Sequence, residues 1–149
     1  LLKDFAPASI KAKIRHLKLQ NILHMVKQPH YANGLFDLDV DIIDANAKSL
    51  KGIVTSKITK GVVDSSYMTK AYKFKSRMPY TSFNATTHTT IGNNLVDTKV
   101  DFNSNLANLD VKSAKFNIKD ASIISDYLVN VTNLNRLYFV SQRHLKGGI

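Results

Sequence analysis

Four carboxylates crowd into DLDVDIID, residues 37–44: Asp37, Asp39, Asp41 and Asp44. Oxygen-rich runs of this kind hold calcium or magnesium when a turn wraps the ligands round one point. Here the intervening residues are apolar, so the first three carboxylates stand in a row about 6.7 Å apart along an extended chain. The expectation is a solvated outer face and no metal site. The five histidines, His16, His24, His30, His88 and His144, form no H-E-x-x-H or H-x-H pattern, which points to surface or packing roles. His88, inside a threonine-rich run, is the one retained as a candidate contact. The chain has no cysteine, which removes thiol nucleophiles, disulfides and Cys-ligated metals together. Neither a G-x-S-x-G elbow nor a glycine-rich phosphate loop is found. These absences predict a protein that is not an enzyme and that carries no cofactor.

Charge is the strongest compositional signal. Twenty-one Lys and Arg against eleven Asp and Glu give a net charge of +10, which favours anionic partners such as nucleic acid or acidic lipid surfaces. The charge is spread along the chain, and only SIKAKIRHLK, Ser9 to Lys18, forms a basic cluster. No apolar run reaches the roughly 20 residues of a membrane helix. The length of 149 residues fits one domain, and the absence of an initiating Met reads as one segment of a larger protein.

Period two dominates the pattern. In LFDLDVDII, Phe36, Leu38, Val40 and Ile42 alternate with aspartates, as in a half-buried strand. SFNATTHTTI places Phe83, Ala85, Thr87, Thr89 and Ile91 on one side, and LVDTKVDFNS does the same with Val96, Thr98, Val100 and Phe102. Gly92 to Asn94 joins these two as a tight hairpin, because Gly and Asn accept positive φ readily. NLDVKS, AKFNIKD and IISDYLVNV supply three shorter strands. KAKIRHLKLQ is expected to extend as a strand through Leu19. Three short helices are predicted: one over NILHMVKQP, one over DSSYMTKAYKF with Asp64 as its cap, and one over NLNRLYFV with Asn133 as its cap. The fold class that follows is mainly β with short α-helices (α+β), a long-stranded, mostly antiparallel curved sheet with one apolar face.

With these strands in place the chain resembles the AsmA-like and TamB-like proteins of bacterial envelopes. The resemblance lies in YANGLFDLDVDI, SLKGIVTSKITKGVVDSSYM, FNSNLANLDVKSAKFNIKD and ISDYLVNVTNLNRLYFVSQRHLKGG, about three quarters of the chain. Its recurring unit is a strand ending near L-x-G, a second strand running to a Gly, and a short helix. Here those are Leu50-Lys51-Gly52, Gly61 and the helix after Asp64, with Leu145 to Gly148 resembling the opening of a further unit. The resemblance implies an elongated periplasmic β-structure, anchored to the inner membrane in the full-length protein. It further implies carriage of phospholipid between inner and outer membranes, or help with outer-membrane assembly.

Two outcomes are open for the apolar residues. Phe36, Leu38, Val40, Ile42, Phe83, Val100, Phe102, Phe116 and Ile118 either close into a core or leave a groove that binds lipid. A strand of eight residues extends about 27 Å, long enough to lie along an acyl chain of about 15 Å. The alternative function is a basic module for nucleic acid or another anionic surface. Gly52 and Gly61 are expected to mark turns at the two ends of one strand.

Overall fold

The computed structural model describes residues 8–45 and 49–142. Leu145 to Gly148 and His144 lie outside the described residues, so the expected further unit there has no structural account. The alternating segments form one open, curved sheet of seven strands in the order β1-β2-β3-β4-β5-β6-β7, every neighbouring pair antiparallel. The strands are β1 (Ala8–Lys18), β2 (Ala32–Ala45), β3 (Leu50–Val63), β4 (Ser82–Gly92), β5 (Leu95–Ser104), β6 (Asn108–Asn117) and β7 (Ile123–Asn130).

Connections differ at the two ends of the strands. At one end β1 leads through α1 (Leu19–Met25) into β2, β3 leads through α2 (Ser65–Ala71) into β4, and β7 leads into a 3-10 turn (Leu134–Leu137) and α3 (Tyr138–Ser141). We call this the helical end. At the opposite, hairpin end β4 turns into β5 through Asn93 and Asn94 alone, whose φ values of 51° and 60° are both left-handed. That is the type I′ geometry that matches strand twist, and Asn tolerates it. Gly92 itself belongs to β4.

The caps follow local chemistry. Asp64 Oδ1 accepts a hydrogen bond from the Tyr67 backbone N–H at 2.8 Å, and Asn133 Oδ1 accepts one from the Asn135 N–H at 3.0 Å. Each satisfies a donor that has no partner inside its helix.

Several expectations change. Leu19 does not continue the first strand: it opens α1 and is buried. NLDVKS and AKFNIKD are one strand, β6, whose pairing with β7 shifts between Val111 and Ser113. The extra residue, Lys112, reverses the alternation there, so the sequence reads as two pieces. Gly52 and Gly61 are not turns. Both lie inside β3 and are buried, and the backbone they serve is a neighbour's. A methyl group on Gly52 would sit 2.5 Å from the Ile42 side chain and 2.7 Å from the Asp41 carbonyl. One on Gly61 would sit 2.6 Å from the Phe83 carbonyl and 2.7 Å from its ring. The glycines let adjacent strands carry large side chains over them.

Candidate functional site

The strand registers assemble the alternating residues into transverse rows. Nearest the helical end, Leu17, Phe36, Ile58, Ala85, Phe102, Leu109 and Val129 lie opposite one another across all seven strands. The next row is Ile14, Leu38, Ser56, Thr87, Val100, Val111 and Tyr127, and the third is Ala12, Val40, Val54, Thr89, Thr98, Ala114 and Ser125. The fourth, nearest the hairpin end, is Ile10, Ile42, Gly52, Ile91, Val96, Phe116 and Ile123. With about 6.7 Å between rows and about 4.8 Å between strands, this face measures roughly 20 Å along the strands and 29 Å across them.

Four of its polar side chains sit together in the middle rows and satisfy one another in pairs. Ser56 Oγ and Thr87 Oγ1 are 2.7 Å apart, and Thr89 Oγ1 and Thr98 Oγ1 are 3.0 Å apart. Paired laterally across strands, these hydroxyls need less water than free ones, so covering the face costs less desolvation.

Only the helical end of the face is well covered. Leu19 and Leu23 of α1 bury against Ala32 and Phe83, with Ile58, Val63, Ala85 and Phe102 packed round them. The Phe83 and Phe102 rings stack with centroids 5.3 Å apart. In the three rows further from α1, Ile42 and Gly52 are buried and the remaining described side chains are half-buried or exposed. No described side chain in the molecule is buried to the last 2 %. A closed core is therefore not what the face makes.

Eight of the nine predicted apolar residues share this face. Phe36, Leu38, Val40, Val100 and Phe102 are half-buried, Ile42 and Phe83 are buried, and Phe116 is exposed. Ile118 does not join them. It lies past the end of β6 and is exposed, its N–H donating to the Asn94 carbonyl at 2.8 Å. Residues missed from sequence include Ile14 and Leu17, hidden in a basic strand, and Val54 and Ile58, spaced by Ser and Lys. Val111 was obscured by the bulge beside it.

From β1 to β6 the opposite face is mainly polar, and its aspartate row is paired instead of merely solvated. Arg15 Nη2 donates to both carboxylate oxygens of Asp39, at 2.7 and 2.9 Å, Lys11 lies 3.6 Å from Asp41, and the His16 N–H donates to Asp37 at 2.6 Å. Hydrogen bonding to Arg15 lowers the Asp39 pKa below the usual carboxylate value and raises that of Arg15. His88 is exposed on this polar face, its Nδ1 3.3 Å from Thr55 Oγ1, away from the apolar rows. Among the described residues no group of three acidic or histidine side chains is placed to hold a metal ion.

A separate cleft of about 550 Å³ opens at the helical end, lined by Ser76, Arg77, Pro79 and Tyr80, by Asn105 and Leu106, and by Asn135, Arg136, Tyr138 and Phe139. Arg77 and Arg136 both line it, and no carboxylate does. No family model, curated protein or solved structure matches the chain.

Proposed function

We propose that this protein holds phospholipid by its acyl chains along the apolar face of the sheet, without catalysing a reaction. The observation that carries this is the set of apolar rows that runs across seven strands and that α1 covers at one end only. Apolar surface of this extent must be covered by something apolar. An acyl chain about 15 Å long fits within the roughly 20 Å depth of the rows. Each buried methylene contributes about 0.8 kcal/mol, enough for part of a chain to offset its loss from a bilayer. Under the AsmA-like resemblance the setting is the periplasm, with the protein tethered to the inner membrane and lipid passing towards the outer one.

Organic extraction of protein purified from a bacterial host, followed by mass spectrometry, tests the proposal. Phospholipid should co-purify in amounts comparable to the protein, and Val40→Asp in the uncovered third row should deplete it while the circular dichroism spectrum stays that of the parent. Extracts indistinguishable from those of an unrelated β-sheet protein would remove the idea. The other reading, a nucleic-acid module, draws on the +10 charge. It requires steeply salt-dependent DNA or RNA binding.

A further inference from the structure

We infer that the helical end of the sheet is a docking surface for an anionic lipid bilayer. This goes beyond the acyl-chain proposal, since it uses other residues and does not require the apolar rows to hold anything. Charge is segregated along the strands. The connectors of this end carry six cations, Lys27, Lys70, Lys73, Lys75, Arg77 and Arg136, all exposed, against the single carboxylate Asp64, which is engaged as a helix cap. Among the described residues the other carboxylates lie on the strands or in the turn after β6; at the hairpin end Asp44 and Asp120 accompany Lys51 and Lys119.

Aromatic side chains follow the same division. Five of the six tyrosines, Tyr31, Tyr67, Tyr72, Tyr80 and Tyr138, belong to this end. Tyr72 is 65 % exposed and Tyr80 67 %, and beside the cations Met25, the last residue of α1, is 73 % exposed. Tyrosine with Lys and Arg is the composition of a membrane–water interface, where the ring meets the headgroup layer and the cation its phosphates. Apolar insertion and basic attraction are the two signals that stable surface binding needs.

The connectors act as one platform because hydrogen bonds tie them together. The Asp64 N–H donates to the Tyr31 carbonyl at 2.8 Å, the Ser76 N–H to the Phe139 carbonyl at 3.3 Å, and Asn105 Nδ2 to the Tyr80 carbonyl at 3.0 Å. Phe74 meets Phe139 edge to face at 4.9 Å. The cleft holding Arg77 and Arg136, free of carboxylates, lies within this platform and suits a headgroup phosphate. Nucleic acid fits less well: no described helix exceeds seven residues, too short to read a groove, and apolar Met25 and Val26 protrude where phosphates would pass.

Co-sedimentation with vesicles of phosphatidylcholine, alone or mixed with phosphatidylglycerol, tests the assignment. The protein should bind the mixed vesicles, release as salt rises, and bind phosphatidylcholine alone weakly. At roughly fivefold in partitioning per cation near an anionic surface, the K70Q/K73Q/K75Q/R77Q variant should lose at least about tenfold. M25S/V26S should lose affinity as well, and K51Q/K119Q at the hairpin end should lose none. Because the chain has no tryptophan, Tyr72→Trp gives a local probe whose emission should shift to the blue on vesicles, while Ile43→Trp at the hairpin end should not shift. Equal losses from the two sets of cation variants, a shift at Ile43→Trp without one at Tyr72→Trp, or displacement from vesicles by DNA at equal ionic strength would each overturn it. Val40→Asp separates the two proposals: it should lose co-purified lipid and still dock, whereas the quadruple variant should keep its lipid and fail to dock.

Discussion

Both margins of the sheet are single strands, yet they are built in opposite ways. β1 carries Lys11, Lys13, Arg15 and Lys18, its pairing with β2 shifts register twice, and His16 bends it with a left-handed φ of 54°. Charges and bulges of this kind keep an edge from accepting a further strand. β7 has neither. Ile123, Ile124, Tyr127, Leu128 and Val129 leave both of its faces apolar, all eight of its residues are exposed, and Asp126 is its only charge. Between the margins the contrast continues. β1 to β4 contain α1, the buried cluster and the two close-approach glycines, whereas β5 to β7 rest on pairing and half-buried side chains. The first part of the sheet is anchored by packing and the last part by its ladder, so their responses to substitution should diverge.

The largest effect should come from Phe83→Ala. Phe83 is buried against Leu19, Leu23 and Phe102, and its loss should cost about 3–5 kcal/mol in urea unfolding. A cost under 1 kcal/mol would mean that α1 does not anchor this half. Gly61→Ala should come next, at about 1–3 kcal/mol, because the added methyl meets the Phe83 backbone and ring. Leu128→Lys with Ile124→Lys on β7 should change stability by no more than about 0.5 kcal/mol per site. The bare β7 edge should let the parent associate with rising concentration in sedimentation velocity; the same pair should abolish that association, and Lys11→Ile with Lys13→Ile should strengthen it.

The smallest effect concerns pH. Asp39 titrates below its ordinary value in the folded chain because Arg15 donates to it, so its contribution exists above the unfolded carboxylate pKa, about 3.9, and disappears as pH falls through the folded value. Asp39→Asn should therefore lower the thermal midpoint slightly near neutral pH. The difference from the parent should close in acid.

Much of the fold was legible because half-buried antiparallel strands write their faces into alternate residues. Phe36 to Ile42, Phe83 to Ile91 and Val96 to Phe102 declare their side directly, and Asp64 and Asn133 declare their helices. What stayed hidden had physical reasons. Ile10, Ile14 and Leu17 alternate with cations whose pairing to Asp39 and Asp41 is set by register, which a single strand does not contain. Lys112 breaks the alternation of β6. Gly52 and Gly61 look like punctuation until the side chains over them are known. The docking end was least visible of all: its cations and tyrosines come from connectors far apart in the chain, and only the fold collects them.

Each strand of the meander pairs only with its neighbours in the chain. Assembly can therefore proceed hairpin by hairpin, each closing a loop a few residues to about twenty long, so the entropy of ordering is met in small steps. The Asn93–Asn94 turn, the tightest connection, is a natural starting point, with β3 joining on one side and β6 on the other. Dissolution should run the other way, beginning at β7 and stopping where α1 holds the strands together. A sheet ordered in this way can gain or lose a strand at its bare margin without rethreading the rest, which makes its width an adjustable quantity.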